Sequence, residues 1–157
     1  MADQLFIHLS VRTSFSLLES MITPKALQGW LVSNAMPAVA VTDRNNLFGA
    51  LEISETLSGA GVQPIMACCF DVTDGGHDEW LTQVSVYAQD DTGYQRLMEL
   101  SSLAYLEAED GVPRLKREHL FEKTDGLILL TGGATGEAAQ YILKGKQQQA
   151  EETLAAF

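Results

Sequence analysis

Strand-like and helix-like segments alternate along most of the chain, and this alternation constrains the fold more than any other feature. The run AVAVTD, residues 38–43, opens with four consecutive apolar residues, as expected of a strand that is buried on both faces of a sheet. The segment before it predicts a helix that Thr23 caps and Pro24 begins. Because strands that alternate with helices are typical of parallel pairing, we predict an α/β protein. Its functional residues should gather where the strands end.

The remaining segments continue this pattern. We predict strands in residues 5–11, in PIMACCFDV, in LTQVSVYAQ and, as a buried strand, in GLILLTG. Helices are predicted over residues 47–57, after a cap at Asp91 or Thr92, in KREHLFEK, and beyond Gly136 with an interruption at Gly145. A closed barrel of alternating strands and helices usually takes about 200 residues or more. The 157 residues of this chain therefore predict an incomplete barrel.

Composition excludes several classes of function. The formal net charge is −11, which argues against a chain that grips a nucleic-acid backbone by itself, because phosphate binding relies on Lys and Arg. It leaves open membership of a larger DNA-handling protein. The sequence has no apolar run long enough to span a membrane and no signal-like N-terminus, so we expect a cytoplasmic protein. The adjacent Cys68 and Cys69 form neither a disulfide framework nor a zinc signature, and we expect buried thiols.

Candidate site residues follow the first two strands. In HLSVR, the residues His8, Ser10 and Arg12 alternate, so all three should point to one face. Serine is a poor metal ligand and arginine repels metals, and a lone His8 is expected to be a core residue rather than a ligand. Asp43 ends a buried strand and needs a partner. A metal is one candidate, but we favour an arginine, either Arg12 or Arg44, because no second strong ligand is visible.

A glycine-rich turn, LLTGGATGE, precedes the last helical region. Such a turn can hold a phosphate on backbone N–H groups at a helix N-terminus. It matches neither the Walker pattern nor the dinucleotide fingerprint. We therefore favour glycines that serve a tight strand-to-helix turn.

Four blocks resemble, in order and spacing, the polymerase-and-histidinol-phosphatase (PHP) region at the start of bacterial DNA polymerase III α subunits. They are FIHLSVRTSFSLLES, MPAVAVTDRNNLFGALEISETLSGAGVQPIMACCFDV, YQRLMELSSLAYLE and GLILLTGGATGE. The resemblance implies a PHP-type distorted (β/α) barrel, of which residues 1–157 would be the N-terminal part, without the polymerase core.

The resemblance also implies where a metal site would lie. In the motif H-L-H-x-H of metal-bearing members, His8 matches the first histidine, while Ser10 and Arg12 stand at the ligand positions. In T-D-H-x-N, Asp43 is retained and Arg44 replaces the histidine.

Two further ligand positions have also changed. Cys69 stands where G-C-E-F has its carboxylate, and Gly133 replaces the cysteine of S-G-C-x-S-G. Among these positions only Asp43 is a strong metal ligand. We therefore expect no bound metal and a vestigial site in which the arginines supply positive charge beside Asp43.

Family members with intact sites are associated with metal-dependent phosphoesterase or proofreading-type exonuclease activity. The resemblance implies that this region is a non-catalytic scaffold of a replicative DNA-directed DNA polymerase, a nucleotidyltransferase, and contacts DNA only through the parent protein. Its expected partners are the rest of the α subunit and the proofreading exonuclease subunit. No cofactor is expected for this chain, whereas the parent's polymerase core would use magnesium. The alternative is a phosphoesterase in which Asp43, His8 and Cys69 hold one residual metal.

Overall fold

The computed structural model describes residues 6–73, 81–108 and 110–156. Its strands are β1 (His8–Val11), β2 (Ala38–Val41), β3 (Gln63–Thr73), β4 (Thr82–Ala88), β5 (Leu115–Lys116) and β6 (Leu127–Leu130). Its helices are α1 (Pro24–Ser33), α2 (Ala50–Ser58), α3 (Asp91–Leu106), α4 (His119–Glu122), α5 (Glu137–Leu143) and α6 (Gln147–Ala156). The α/β class predicted from the sequence is confirmed.

The six strands form one open sheet in the order β1-β2-β3-β4-β6, with β5 paired to β3. The first three strands are parallel, as predicted. Strand β4, however, runs antiparallel to both β3 and β6, so the expectation of parallel pairing is wrong for that half of the sheet. The physical reason is the connection between β3 and β4, because eight residues are too few for the crossover that parallel neighbours need.

Helix starts follow their capping residues. The Thr23 side chain accepts a hydrogen bond from the backbone N of Ala26, and Pro24 opens α1, as predicted. Helix α3 is capped by Asp90, not by Asp91 or Thr92, because Asp90 Oδ1 accepts from the backbone N of Gly93 at 2.9 Å.

Helices cover one face of the sheet in two apolar clusters. One cluster joins β3 and β4 to α3 and includes Phe70, Val86 and Leu97. The other joins β2 to α1 and α2 and includes Leu31 and Val39. All four residues of β2 are buried, as the continuous apolar run predicted. Cys68 and Cys69 are buried free thiols, which confirms that expectation.

The opposite face of the sheet is crossed by one aromatic side chain. The Tyr87 hydroxyl on β4 donates to the backbone O of Leu9 in β1 at 2.7 Å, across the two strands that lie between them. The small side chains of Ala40 and Ala67 pack with the tyrosine. Strand β6 was expected to be buried, but Ile128 and Leu130 are 49% and 43% exposed. Ile128 pairs with Tyr87 and Leu130 with Ser85, so both lie on the face away from the helices, whereas Leu127 and Leu129 pack against the helix-side core.

Among the described residues, no helix combines the length and apolar character needed to cross a bilayer.

Candidate functional site

Polar residues gather where β1, β2 and β3 approach one edge of the sheet. Arg12 follows β1, Asp43 and Arg44 follow β2, and Cys69 lies in β3. The backbone after β2 pairs with β3, because Arg44 and Cys69 form an isolated parallel bridge. The structure thus brings Arg12, Asp43, Arg44 and Cys69 to one edge of the sheet.

Asp43 is a buried acid at this edge, with 3% exposure. Its Oδ1 accepts from the backbone N of Thr13 at 2.7 Å and from the Ser16 hydroxyl at 2.6 Å. Its Oδ2 accepts from the Thr13 hydroxyl at 2.6 Å. The expectation that an arginine pairs with Asp43 is therefore wrong. The loop after β1 folds back over this carboxylate and satisfies it with uncharged donors.

The two arginines are paired with other carboxylates in the described part of the chain. Arg44 Nε donates to Asp71 Oδ2 at 2.7 Å, and its Nη1 donates to Glu19. Arg12 Nη1 donates to the other carboxylate oxygen of Glu19, so Glu19 bridges both guanidinium groups. The hydrogen bonds that Arg44 donates to Asp71, and then to Glu19, hold the pKa of Arg44 well above its usual value.

A second set of contacts ties Arg12 to the sheet. Its Nη2 donates to the Gln83 side-chain oxygen at 3.2 Å and lies 3.6 Å from Cys69 Sγ. Gln83 in turn donates to Asp71 Oδ1 at 3.2 Å, and Asn45 donates to Asp71 Oδ2 at 2.8 Å. Both arginines at this edge, and the acids Glu19 and Asp71, therefore have a partner of opposite charge.

His8 and Ser10 lie outside this network. The pairing register of β1 shifts between His8 and Val11. This shift breaks the simple alternation, so the prediction that His8 shares a face with Arg12 is wrong. His8 lines an apolar groove with Val11, and its ring lies 5.5 Å from the Trp30 ring. The Ser10 hydroxyl lies 3.3 Å from the Thr42 hydroxyl.

The adjacent thiols have different surroundings. Cys68 Sγ donates to the backbone O of Asp43 at 3.3 Å. Burial, and then the neighbouring Cys69, raise the pKa of the Cys68 thiol well above 9.0. Cys69 lies on the polar side beside Arg12.

Gly133 lies in a short 3-10 turn after β6. A side-chain carbon on Gly132 would come within 2.0 Å of the Gln83 backbone O, and one on Gly136 within 1.6 Å of the Thr131 backbone O. These glycines are required by close packing, which favours the tight-turn interpretation over a phosphate loop. The helix that follows, α5, has only 7 residues.

The residues at this edge do not fit the metal that the resemblance would imply. Two of the candidate positions carry Arg12 and Arg44, whose permanent charge repels cations. Asp43 already accepts three hydrogen bonds. Within the described ranges, no three His, Cys, Asp or Glu residues are grouped so that they could hold a metal ion.

Sequence reasoning missed six residues of the site: Thr13, Ser16, Glu19, Asn45, Asp71 and Gln83. Serine and threonine are common in loops, so nothing marked Thr13 and Ser16 as partners of Asp43. Glu19 carried a usable signal, because it is the only charged residue in the stretch 13–22.

Comparisons with known proteins agree on one family. The PHP domain family matches residues 8–157. The DNA polymerase III subunit alpha of Caulobacter vibrioides is 40% identical over 156 residues, covering 96% of this chain and 14% of that protein. The subunit alpha of Escherichia coli K12 is 33% identical over 158 residues, covering 100% of this chain and 14% of that protein. The chain therefore spans about one seventh of the length of these relatives.

One solved structure with a similar course of the backbone is an amidohydrolase from Chromobacterium violaceum. Its TM-score is 0.47 and its sequence identity is 18%, and the match covers 68% of this chain and 40% of that one. A similarity at this level carries no argument about function.

Proposed function

The chain belongs to the PHP domain family, and from this membership we propose that it serves as the PHP region of a DNA polymerase III α subunit and acts there as a non-catalytic scaffold. The observation that carries the non-catalytic part is the pairing of Arg12 and Arg44 with Glu19 and Asp71 at the sheet edge.

Metal-dependent phosphoester hydrolysis needs cations that activate water and neutralise charge on the phosphoryl group. A guanidinium group supplies positive charge, but it cannot lower the pKa of a coordinated water as a metal does. Asp43, the only strong metal ligand among these family positions, is enclosed by Thr13 and Ser16. These features support a site that keeps its shape without cleaving a phosphoester.

The proposed partners are the rest of an α subunit and the proofreading exonuclease subunit. The net charge of −11 supports contacts with protein rather than with DNA. Polymerisation, with its magnesium, would rely on regions of an α subunit outside the part that this chain matches, and DNA would be reached only through them. Such a protein would work in the cytoplasm.

Metal content tests the non-catalytic proposal. The purified chain is incubated with Mn²⁺ or Zn²⁺, desalted and analysed by elemental mass spectrometry, and hydrolysis of a nitrophenyl phosphate ester is followed with added Mn²⁺. We expect far less than one metal per chain and no hydrolysis above the buffer rate. The double variant Arg12→His, Arg44→His shows whether the assay detects a metal when imidazoles replace the guanidinium groups. Stoichiometric metal together with metal-dependent hydrolysis by the unchanged chain would support the phosphoesterase alternative instead.

Calorimetric titration with the proofreading exonuclease subunit of the same genome tests the scaffold proposal. We expect saturable binding that EDTA does not alter. Failure to bind would contradict the docking role and would leave the result on metal content unaffected.

A further inference from the structure

The loop over residues 13–22, which joins β1 to α1, is held with little apolar burial at its centre. Leu17, Leu18 and Met21 are 81%, 107% and 94% exposed. Leu18 has a φ of 65°, a left-handed conformation that costs a leucine about 1–2 kcal/mol. Because the hydrophobic effect contributes little at these positions, polar contacts must keep the centre of the loop in place.

Backbone contacts hold the ends of the loop. The backbone N of Ser14 donates to the backbone O of Ile22 at 2.9 Å. The Ser20 hydroxyl donates to the backbone O of Arg12 at 2.8 Å. These bonds fix where the loop leaves and rejoins the sheet, but they do not join its centre to β2 or β3.

Glu19 makes that longer connection. One carboxylate oxygen accepts from Arg12 and the other from Arg44. Arg44 is anchored in turn on Asp71, whose side chain is 2% exposed. We name Arg12, Glu19 and Arg44 the Glu19 clasp. It joins the loop to residues after β1 and β2, and through Asp71 to β3.

We infer that the Glu19 clasp, and not a bound metal, holds the centre of the 13–22 loop against the edge of the sheet, beyond the first turn that Ser16 ties to Asp43. The inference rests on the proposed function, since it takes the site to be free of metal. Two guanidinium groups and two carboxylates balance their charges within the cluster, so the loop needs no divalent cation to stay in place. The clasp side chains are 22% to 34% exposed, so salt should weaken it whereas a chelator should not.

Amide hydrogen exchange read by mass spectrometry tests this inference on the full chain. The variants are Glu19→Gln, which keeps the shape and removes the charge, and Arg44→Gln. Arg114→Gln is the matched control, because Arg114 forms an ion pair with Asp110 outside the clasp. We expect peptides from the loop to exchange about tenfold faster in Glu19→Gln, because charge-assisted hydrogen bonds are lost. Peptides from β3 and α3 should be unchanged, and the control should match the unchanged chain throughout.

Two treatments of the unchanged chain complete the test. About 1 M NaCl should speed exchange in the loop, whereas excess EDTA should leave it unchanged. Loop exchange that is unaltered in a folded Glu19→Gln variant would overturn the inference, as would faster exchange with EDTA. If Arg44→Gln fails to fold, Glu19→Gln still tests the inference, because the Glu19 side chain is partly exposed and its replacement should leave the fold intact.

The nitrophenyl ester assay on the same samples separates this inference from the proposed function. Hydrolysis by a chain whose loop responds to Glu19→Gln and not to EDTA would defeat the non-catalytic proposal alone. Absence of hydrolysis, together with loop exchange that Glu19→Gln leaves unchanged, would refute the clasp inference alone.

Discussion

Replacement of Asp43 should reveal what this acid does in the protein. In Asp43→Ala, three hydrogen bonds of 2.6–2.7 Å disappear, and the donors belong to Thr13 and Ser16, which are 0% and 2% exposed. The hydroxyls can rotate toward other acceptors, but the backbone N–H of Thr13 cannot. With one buried unpaired donor, two weakened hydroxyl contacts and a small cavity, we expect a loss of about 3–5 kcal/mol of unfolding free energy.

Asp43→Asn separates the shape of the side chain from its charge. Its amide oxygen can still accept from the Thr13 N–H, and a hydroxyl can turn to accept from the amide, so we expect a smaller loss of about 2 kcal/mol. Urea unfolding followed by circular dichroism measures both variants, and an unchanged slope with denaturant shows that only stability has changed.

Salt distinguishes the observed contacts from an arginine pair. Because the donors to Asp43 are uncharged and buried, the difference between the unchanged chain and Asp43→Asn should stay within about 0.5 kcal/mol between low salt and about 1 M NaCl. A loss below about 1 kcal/mol in Asp43→Ala, or a difference that collapses in salt, would refute this account of the site.

Three further predictions rest on single contacts. Gly133→Ala should lower the free energy of unfolding by about 1 kcal/mol, because Gly133 has a φ of +53° but open space around it. Gly132→Ala should lower it by more than about 3 kcal/mol, because its new carbon would meet a backbone oxygen at 2.0 Å. Thermal melts compare the two variants, and equal losses of stability would contradict the packing argument. Tyr87→Phe should lose about 1 kcal/mol with its 2.7 Å bond to Leu9, measured by urea unfolding, and no loss would mean that the bond is unimportant. Burial raises the pKa of the Cys68 thiol above 9.0, so its contribution to stability is complete below pH 9.0 and is lost as pH rises from there toward the folded-state pKa. Urea unfolding on both sides of pH 9.0 should show a smaller decline in unfolding free energy for Cys68→Ala than for the unchanged chain. An equal decline would exclude this thiol as the cause.

Local signals in the sequence predicted local structure well. The Thr23-Pro24 start of α1 and the buried strand β2 were both found as expected, because capping and continuous apolar runs act within a few residues. The antiparallel direction of β4 could have been predicted from the length of the 74–81 connection, which is too short for a parallel crossover.

The site itself was only half predictable. That Arg12 and Arg44 come close to Asp43 follows from parallel strands that end at one edge. Their choice of partner does not follow, because it depends on how the loop after β1 folds back. The loop places the Ser16 hydroxyl on Asp43 and the Glu19 carboxylate between the arginines, and periodicity contains no information about either contact.

The contacts of Asp43 change what its presence means. A retained aspartate in a family with metal sites invites the conclusion that some metal chemistry remains. Here the same carboxylate anchors Thr13 and Ser16, and the Ser16 hydroxyl also accepts from the backbone N of Arg44 at 3.1 Å. Asp43 therefore fixes the first turn of the loop whose centre the Glu19 clasp holds. Loss of the histidines of the family motifs would leave this structural role intact. A buried acid of this kind is therefore explained by the folding of the loop and is not evidence of catalysis.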